Sequence, residues 1–147
     1  NVALPLLQHT NLPSDLIDDI VRMKLGLVNL ADAYHLYPAE LSGGMLKRAA
    51  LARAIAMDPP LLFCDEPGAG LDPISLEALD SLILNLKEKL GMSVLLVTHE
   101  VSSILRVADR VIYLDQGVVA FEGSLKDALN TDQLAVREFF KTSPHSL

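Results

Sequence analysis

Apolar residues recur through residues 14–30 at the spacing of one helix face: Leu16, Ile20, Met23, Leu27 and Leu30. Ser14 stands at the start as a cap, and Asp15, Asp18 and Asp19 fill the first turns, where negative charge meets the positive end of a helix dipole. The pattern predicts a helix over 14–30, followed by a loop over 34–40. A second helix is predicted over 42–57, rich in Ala and Arg and stopped by Asp58-Pro59-Pro60. The pattern then changes. Two all-apolar runs, 61–64 and 94–97, have strand length and no polar alternation, as expected of parallel strands covered on both faces. Between them residues 73–90 predict a third helix, with Pro73 at its start and Gly91 just beyond its end.

The remainder reads as a helix over 101–108, a hairpin of strands 110–114 and 118–122 about Asp115-Gln116-Gly117, and two short helices over 124–130 and 135–141. Strand, helix, strand and helix over 61–108 define an α/β layer with a parallel sheet. The expected organisation is a helical part over 1–57, an α/β core over 58–123 and a helical tail over 124–147. There is no internal repeat and no low-complexity linker.

Composition narrows this picture. A chain of 147 residues buries one core. Hydrophobic residues make up 50%, and mean hydropathy is +0.33, yet no run nears the ~18 apolar residues that span a bilayer. The excess is therefore assigned to buried strands and to surface meant for a partner. Asn1-Val2-Ala3-Leu4-Pro5 has neither a charged leader region nor an initiator Met, so the reading expects an N-terminus cut short. A net charge of −7 without a basic stripe argues against nucleic acid as a partner, because phosphate contacts need clustered cations. The one small basic cluster is Lys47-Arg48 with Arg53. The single cysteine, Cys64, excludes an internal disulfide, fits a reducing compartment and reads as a buried structural thiol.

Candidate chemistry lies where strands end and one helix begins. Asp65 and Glu66 leave the carboxyl end of the first apolar strand. Hydrolytic phosphoryl transfer needs Mg²⁺ on the phosphate oxygens and a group orienting the attacking water. Asp65 would hold the metal through its water shell, and Glu66 would polarise the nucleophile. His99 follows the second strand at the same carboxyl edge, where α/β proteins place ligands, and an imidazole there could hydrogen-bond a γ-phosphate. Ser42-Gly43-Gly44 opens the second helix, whose unsatisfied N–H groups can receive an anion. His9, His35 and His145 have no such context and read as surface residues. The expected phosphate cradle, Gly-x-x-x-x-Gly-Lys-[Ser/Thr], does not occur in the chain.

The order of these motifs resembles the ATPase subunits of ATP-binding-cassette (ABC) transporters. Leu41-Ser42-Gly43-Gly44-Met45 matches the family signature, 61–65 the Walker B strand, Glu66 the catalytic carboxylate, 70–72 the D-loop and His99 the switch histidine. The resemblance implies a P-loop NTPase core of ABC type with an α-helical subdomain, the N-terminal part of the fold being missing. It implies ATP and Mg²⁺ as cofactors, with Asp65, Glu66 and His99 acting in their own chain. Two nucleotide domains would pair head to tail as a homodimer. Ser42, Gly43 and Gly44 would then face the γ-phosphate held by the partner, and Asp72 would cross the interface. Transmembrane permease subunits would receive the helical part, placing the protein peripherally on the cytoplasmic face of the inner membrane.

Met45 stands where most members carry Gln, and Gly68-Ala69-Gly70 is more glycine-rich than the common D-loop lead-in. Met45 with Arg48-Ala49-Ala50-Leu51-Ala52-Arg53-Ala54, and Asn1-Val2-Ala3-Leu4-Pro5-Leu6 with His9-Thr10 and Leu12-Pro13, resemble the branch that energises phospholipid trafficking between bacterial membranes, the Mla or organic-solvent-tolerance type. Two alternatives stand beside this reading. One is a soluble ABC-type ATPase of DNA repair or translation, opposed by the acidic charge and the lack of heptads before the signature. The other is an inactive truncated fragment contributing only its signature in trans, opposed by the intact Glu66 and His99.

Overall fold

A computed structural model describes residues 1–141, which divide into two compact units, Asn1–Val97 and the residues from Thr98 onward. The first unit begins with α1 (Leu4–His9) and α2 (Ser14–Leu27). Short 3-10 turns at Ala31–Ala33 and Pro38–Glu40 lead into α3 (Gly43–Ala54). The α/β part follows as β1 (Leu61–Asp65), α4 (Pro73–Leu90) and β2 (Ser93–Val97). β1 and β2 pair in parallel, Leu61 opposite Ser93 through Asp65 opposite Val97. A parallel pair needs a long crossover, and α4 supplies it. Asp72 caps α4, Pro73 occupies its first turn, and Gly91 ends it in the left-handed region at φ +61°.

One apolar core serves both the helical and the α/β parts. Val21 and Leu25 of α2, Leu51 and Ala52 of α3, Leu62 and Cys64 of β1 and Leu79, Ile83 and Leu86 of α4 all belong to it. Burial in this core pushes the Cys64 thiol pKa up, which keeps it a neutral packing group. Lys24 of α2 is also buried, and its ammonium donates to the Asp58 carboxylate in the turn after α3.

Three expectations need adjustment. α2 starts with Ser14 inside the helix and Pro13 at the cap position, so Ser14 does not cap it, and it stops at Leu27 rather than residue 30, because Asn29 turns the chain through the left-handed region at φ 57°. α3 begins one residue after Ser42, which caps it, and the chain leaves the helix before Asp58, itself left-handed at φ 49°. The apolar runs 61–64 and 94–97 of these strands are covered on one face only. Leu62 and Cys64 are buried, whereas Leu61, Phe63, Leu95 and Val97 are exposed. Strand side chains alternate between faces, and among the described residues only the face that meets the helical core is covered.

The second unit holds α5 (Val101–Val107), a hairpin of β3 (Arg110–Asp115) and β4 (Val118–Ser124), then α6 (Leu125–Asn130) and α7 (Leu134–Lys141). Gln116 and Gly117 both have positive φ, 46° and 79°, as a two-residue type I′ hairpin turn requires. Ser124 and Asp127 form a capping box at α6. Val101, Ala128, Val136 and Phe140 make this unit's own small core.

Candidate functional site

The signature residues sit where a helix start meets open space. Ser42 caps α3, its hydroxyl accepting from the Met45 N–H at 3.3 Å. Gly43 and Gly44 form the first turn, whose N–H groups have no partner within the helix. A Cβ built on either glycine would meet nothing within 4 Å. Packing inside the chain therefore does not require glycine at either position. Their smallness leaves the backbone open to something outside the fold.

That something would enter a cleft of about 520 Å³, lined on one side by Ser42, Gly43, Gly44 and Arg48 and on the other by Gly70, Leu71, Asp72 and Ser75. The structure thus brings the signature and the D-loop residues together. Gly70 takes the left-handed φ of +76° that lets the loop turn into α4. Asp72 accepts from the N–H groups of Ile74 and Ser75, both at 3.1 Å, and from the Ser75 hydroxyl. The Ser75 hydroxyl, then the Ser75 N–H, hold the Asp72 carboxyl below its ordinary range. Asp72 is therefore a helix cap as well as a cleft residue. The sequence carried that signal, since an Asp before Pro at the start of a periodic helix is an N-cap pattern.

Asp65 ends β1 as an exposed carboxylate, opposite Val97. Glu66 follows with φ 44°, in the left-handed region that non-glycine residues occupy sparingly. Its N–H continues the β1–β2 ladder to the Val97 carbonyl at 2.8 Å, and its carbonyl accepts from the Ala69 N–H at 3.1 Å. The Nζ of Lys47, on α3, stands 3.5 Å from that carbonyl. A Cβ on Gly68, the next glycine, would lie 2.3 Å from Leu76 Cδ1, so the Leu76 side chain would have to shift to admit one.

His99 lies in the second unit, two residues after the end of β2. Its side chain is largely exposed, with Nε2 3.8 Å from a Glu100 carboxylate oxygen. His9 and His35 are exposed, as the sequence implied, and His145 lies outside the described residues. No group of three or more His, Cys, Asp or Glu side chains converges on a metal-sized site among the described residues.

An α/β core with this signature helix, D-loop cap and strand-end carboxylate pair has the fold of the ABC transporter ATPases, and residues 13–69 match the family described as "ABC transporter". The chain is 49% identical over 142 residues to the "Intermembrane phospholipid transport system ATP-binding protein MlaF" of Haemophilus influenzae, covering 96% of this chain and 53% of that protein. It is 44% identical to the protein of the same name in Escherichia coli K12, over 95% of this chain and 52% of the relative. Among solved structures, cbiO1 from Clostridium perfringens, part of the ABC transporter complex cbiONQ, superposes with a TM-score of 0.80 at 27% identity. That match covers 98% of this chain and 57% of cbiO1. The chain spans about half the length of the curated relatives it matches.

Proposed function

We propose that the protein carrying this sequence is the ATP-binding and ATP-hydrolysing subunit of an ABC transporter that powers phospholipid transport for outer-membrane lipid asymmetry. The observation that carries the reading is the uncovered glycine pair at the head of α3, facing a cleft shared with Asp72. It is half of an anion site, and it needs a second surface to present the phosphate. In a head-to-tail homodimer the partner supplies that surface. Ser42, Gly43 and Gly44 then donate to the γ-phosphate oxygens, where helix N–H groups are worth most. In the same chain Glu66 orients the attacking water, Asp65 carries Mg²⁺, and His99 senses the γ-phosphate. Mg²⁺ contributes charge neutralisation on the phosphates when bound.

Residues 1–57 form the segment that docks on transmembrane permease subunits, which places the protein on the cytoplasmic face of the inner membrane. No helix among the described residues is long and apolar enough to cross a membrane itself. The names of the phospholipid-transport relatives support the lipid cargo. The test is ATP turnover by the full-length protein with and without Glu66→Gln. The variant is expected to bind ATP as the wild type does while kcat falls by about 10²–10⁴-fold, the usual share of a positioned general base. Wild-type turnover in the variant would remove Glu66 from this role.

A further inference from the structure

We propose that Lys47 is a positioning residue that ties the helix bearing Ser42-Gly43-Gly44 to the main chain of Glu66, so that the state of the glycine-pair site reaches the carboxylate of the same chain. The inference rests on the nucleotide-site reading given above. Lys47 follows Gly43 by four residues and Gly44 by three, so all three lie on one face of α3. Its half-buried side chain leaves that face and brings Nζ to 3.5 Å from the Glu66 carbonyl.

Glu66 is a residue whose backbone needs holding. β1 ends at Asp65, and at φ 44° the Glu66 carbonyl has left the sheet ladder. Contacts on its main chain include its N–H to Val97, its carbonyl from the Ala69 N–H, and the Lys47 ammonium. The first two come from the α/β part, and Lys47 reaches from the signature helix. An ammonium beside a carbonyl is a charge–dipole contact, and at 3.5 Å this one is long and can tighten or loosen with a small shift of α3. One Cα carries both the Glu66 carbonyl and its Cβ, so a pull on that carbonyl strong enough to shift the Cα moves the carboxylate with it. A movement of α3 by an ångström, as an arriving phosphate draws in its first turn, changes the Lys47 contact and with it that pull. Lys47 thereby links the site that the chain serves on its partner to the carboxylate that it uses itself.

A positioning role and a direct phosphate-binding role predict different kinetics. Loss of a phosphate ligand raises KM, whereas loss of positioning lowers kcat at unchanged KM. The experiment measures kcat and KM for ATP in the full-length protein as wild type, Lys47→Met, Lys47→Gln, Lys47→Arg, Glu66→Gln and the double variant Lys47→Met/Glu66→Gln. We expect Lys47→Met and Lys47→Gln to lower kcat about tenfold, in line with an ångström-scale misplacement. KM should stay within about twofold. Lys47→Arg, which keeps a cationic donor, should restore most of the rate. The double variant should be no slower than Glu66→Gln alone, because Lys47 acts through Glu66. Wild-type kcat in Lys47→Met beside an inactive Glu66→Gln would overturn the Lys47 role and leave the site reading standing. A loss confined to KM, or an additive loss in the double variant, would also overturn it. Full activity of Glu66→Gln would instead overturn the site reading, and the Lys47 role with it.

Discussion

The exposed face of the β1–β2 pair makes a quantitative prediction. Leu61, Phe63, Leu95 and Val97 remain 41%, 69%, 41% and 52% exposed. Burying one such side chain completely stabilises by about 1.5–3 kcal/mol. The four exposed fractions amount to about two whole side chains, so covering the face gains about 3–6 kcal/mol. Two copies meeting face to face would gain about twice that, against an association cost of about 4–15 kcal/mol. The balance favours weak, concentration-dependent self-association of the 147-residue chain over a tight dimer. The outer strand edges, ready to pair with another chain, push the same way. Phe63 supplies the largest share, so Phe63→Lys removes that share and puts a charge where a partner would have to desolvate it. Sedimentation velocity over a range from about 10 μM to 1 mM, the range of such weak affinities, should show the wild-type chain growing in size and Phe63→Lys staying monomeric. A monodisperse wild-type chain with a cooperative melt, or association that Phe63→Lys leaves unchanged, would refute the reasoning.

Three further outcomes are expected. Gly44→Asp should fold at least as well as the wild type, since a carboxylate in the first turn of α3 meets open space and a favourable dipole worth about 0.3–1 kcal/mol, yet it should abolish ATP turnover by repelling the phosphate; a variant that unfolds early but still hydrolyses ATP would reverse both claims. Lys24→Met should keep denaturant stability within about 1 kcal/mol of wild type, whereas Asp58→Asn, which leaves the Lys24 ammonium buried without its carboxylate, should lose about 1–3 kcal/mol, and equal effects would contradict the asymmetry. The Asp72 carboxyl has its pKa lowered from 3.8 in the folded chain, so its capping contribution is whole above 3.8 and fades only as pH falls below that value; the melting difference between wild type and Asp72→Ala should follow that course, and a difference that vanished near neutral pH would rule it out.

Local chemistry in the sequence specified much of this structure. Pro73 and Gly91 bracket α4 at both ends, and the apolar run ending in Asp65 marks β1. α1 is six residues long, too short to show a helical period of its own, and its Pro5 sits in the first turn, where proline is tolerated. The one-sided burial of the strands was hidden for a different reason. An all-apolar strand states what both faces could bury, not what lies against them. Within the candidate site, Ser42, Gly43, Gly44, Asp65, Glu66 and Asp72 are proposed from spacing and resemblance. The left-handed Glu66 and its contact with Lys47, nineteen residues earlier, could not be read this way, because tertiary packing alone brings that ammonium to that carbonyl.

The central claim, that each site joins one chain's Glu66 to the other chain's Ser42-Gly43-Gly44, is tested most directly by mixing two inactive variants of the full-length protein, Glu66→Gln and Gly44→Asp. With the mutations on separate chains, a mixed dimer keeps one site made of wild-type Glu66 and a wild-type glycine pair. The account predicts that ATP turnover returns on mixing, and that it does not return when both substitutions are carried by one chain and mixed with itself. A mixture no more active than the two variants measured alone would contradict the shared site.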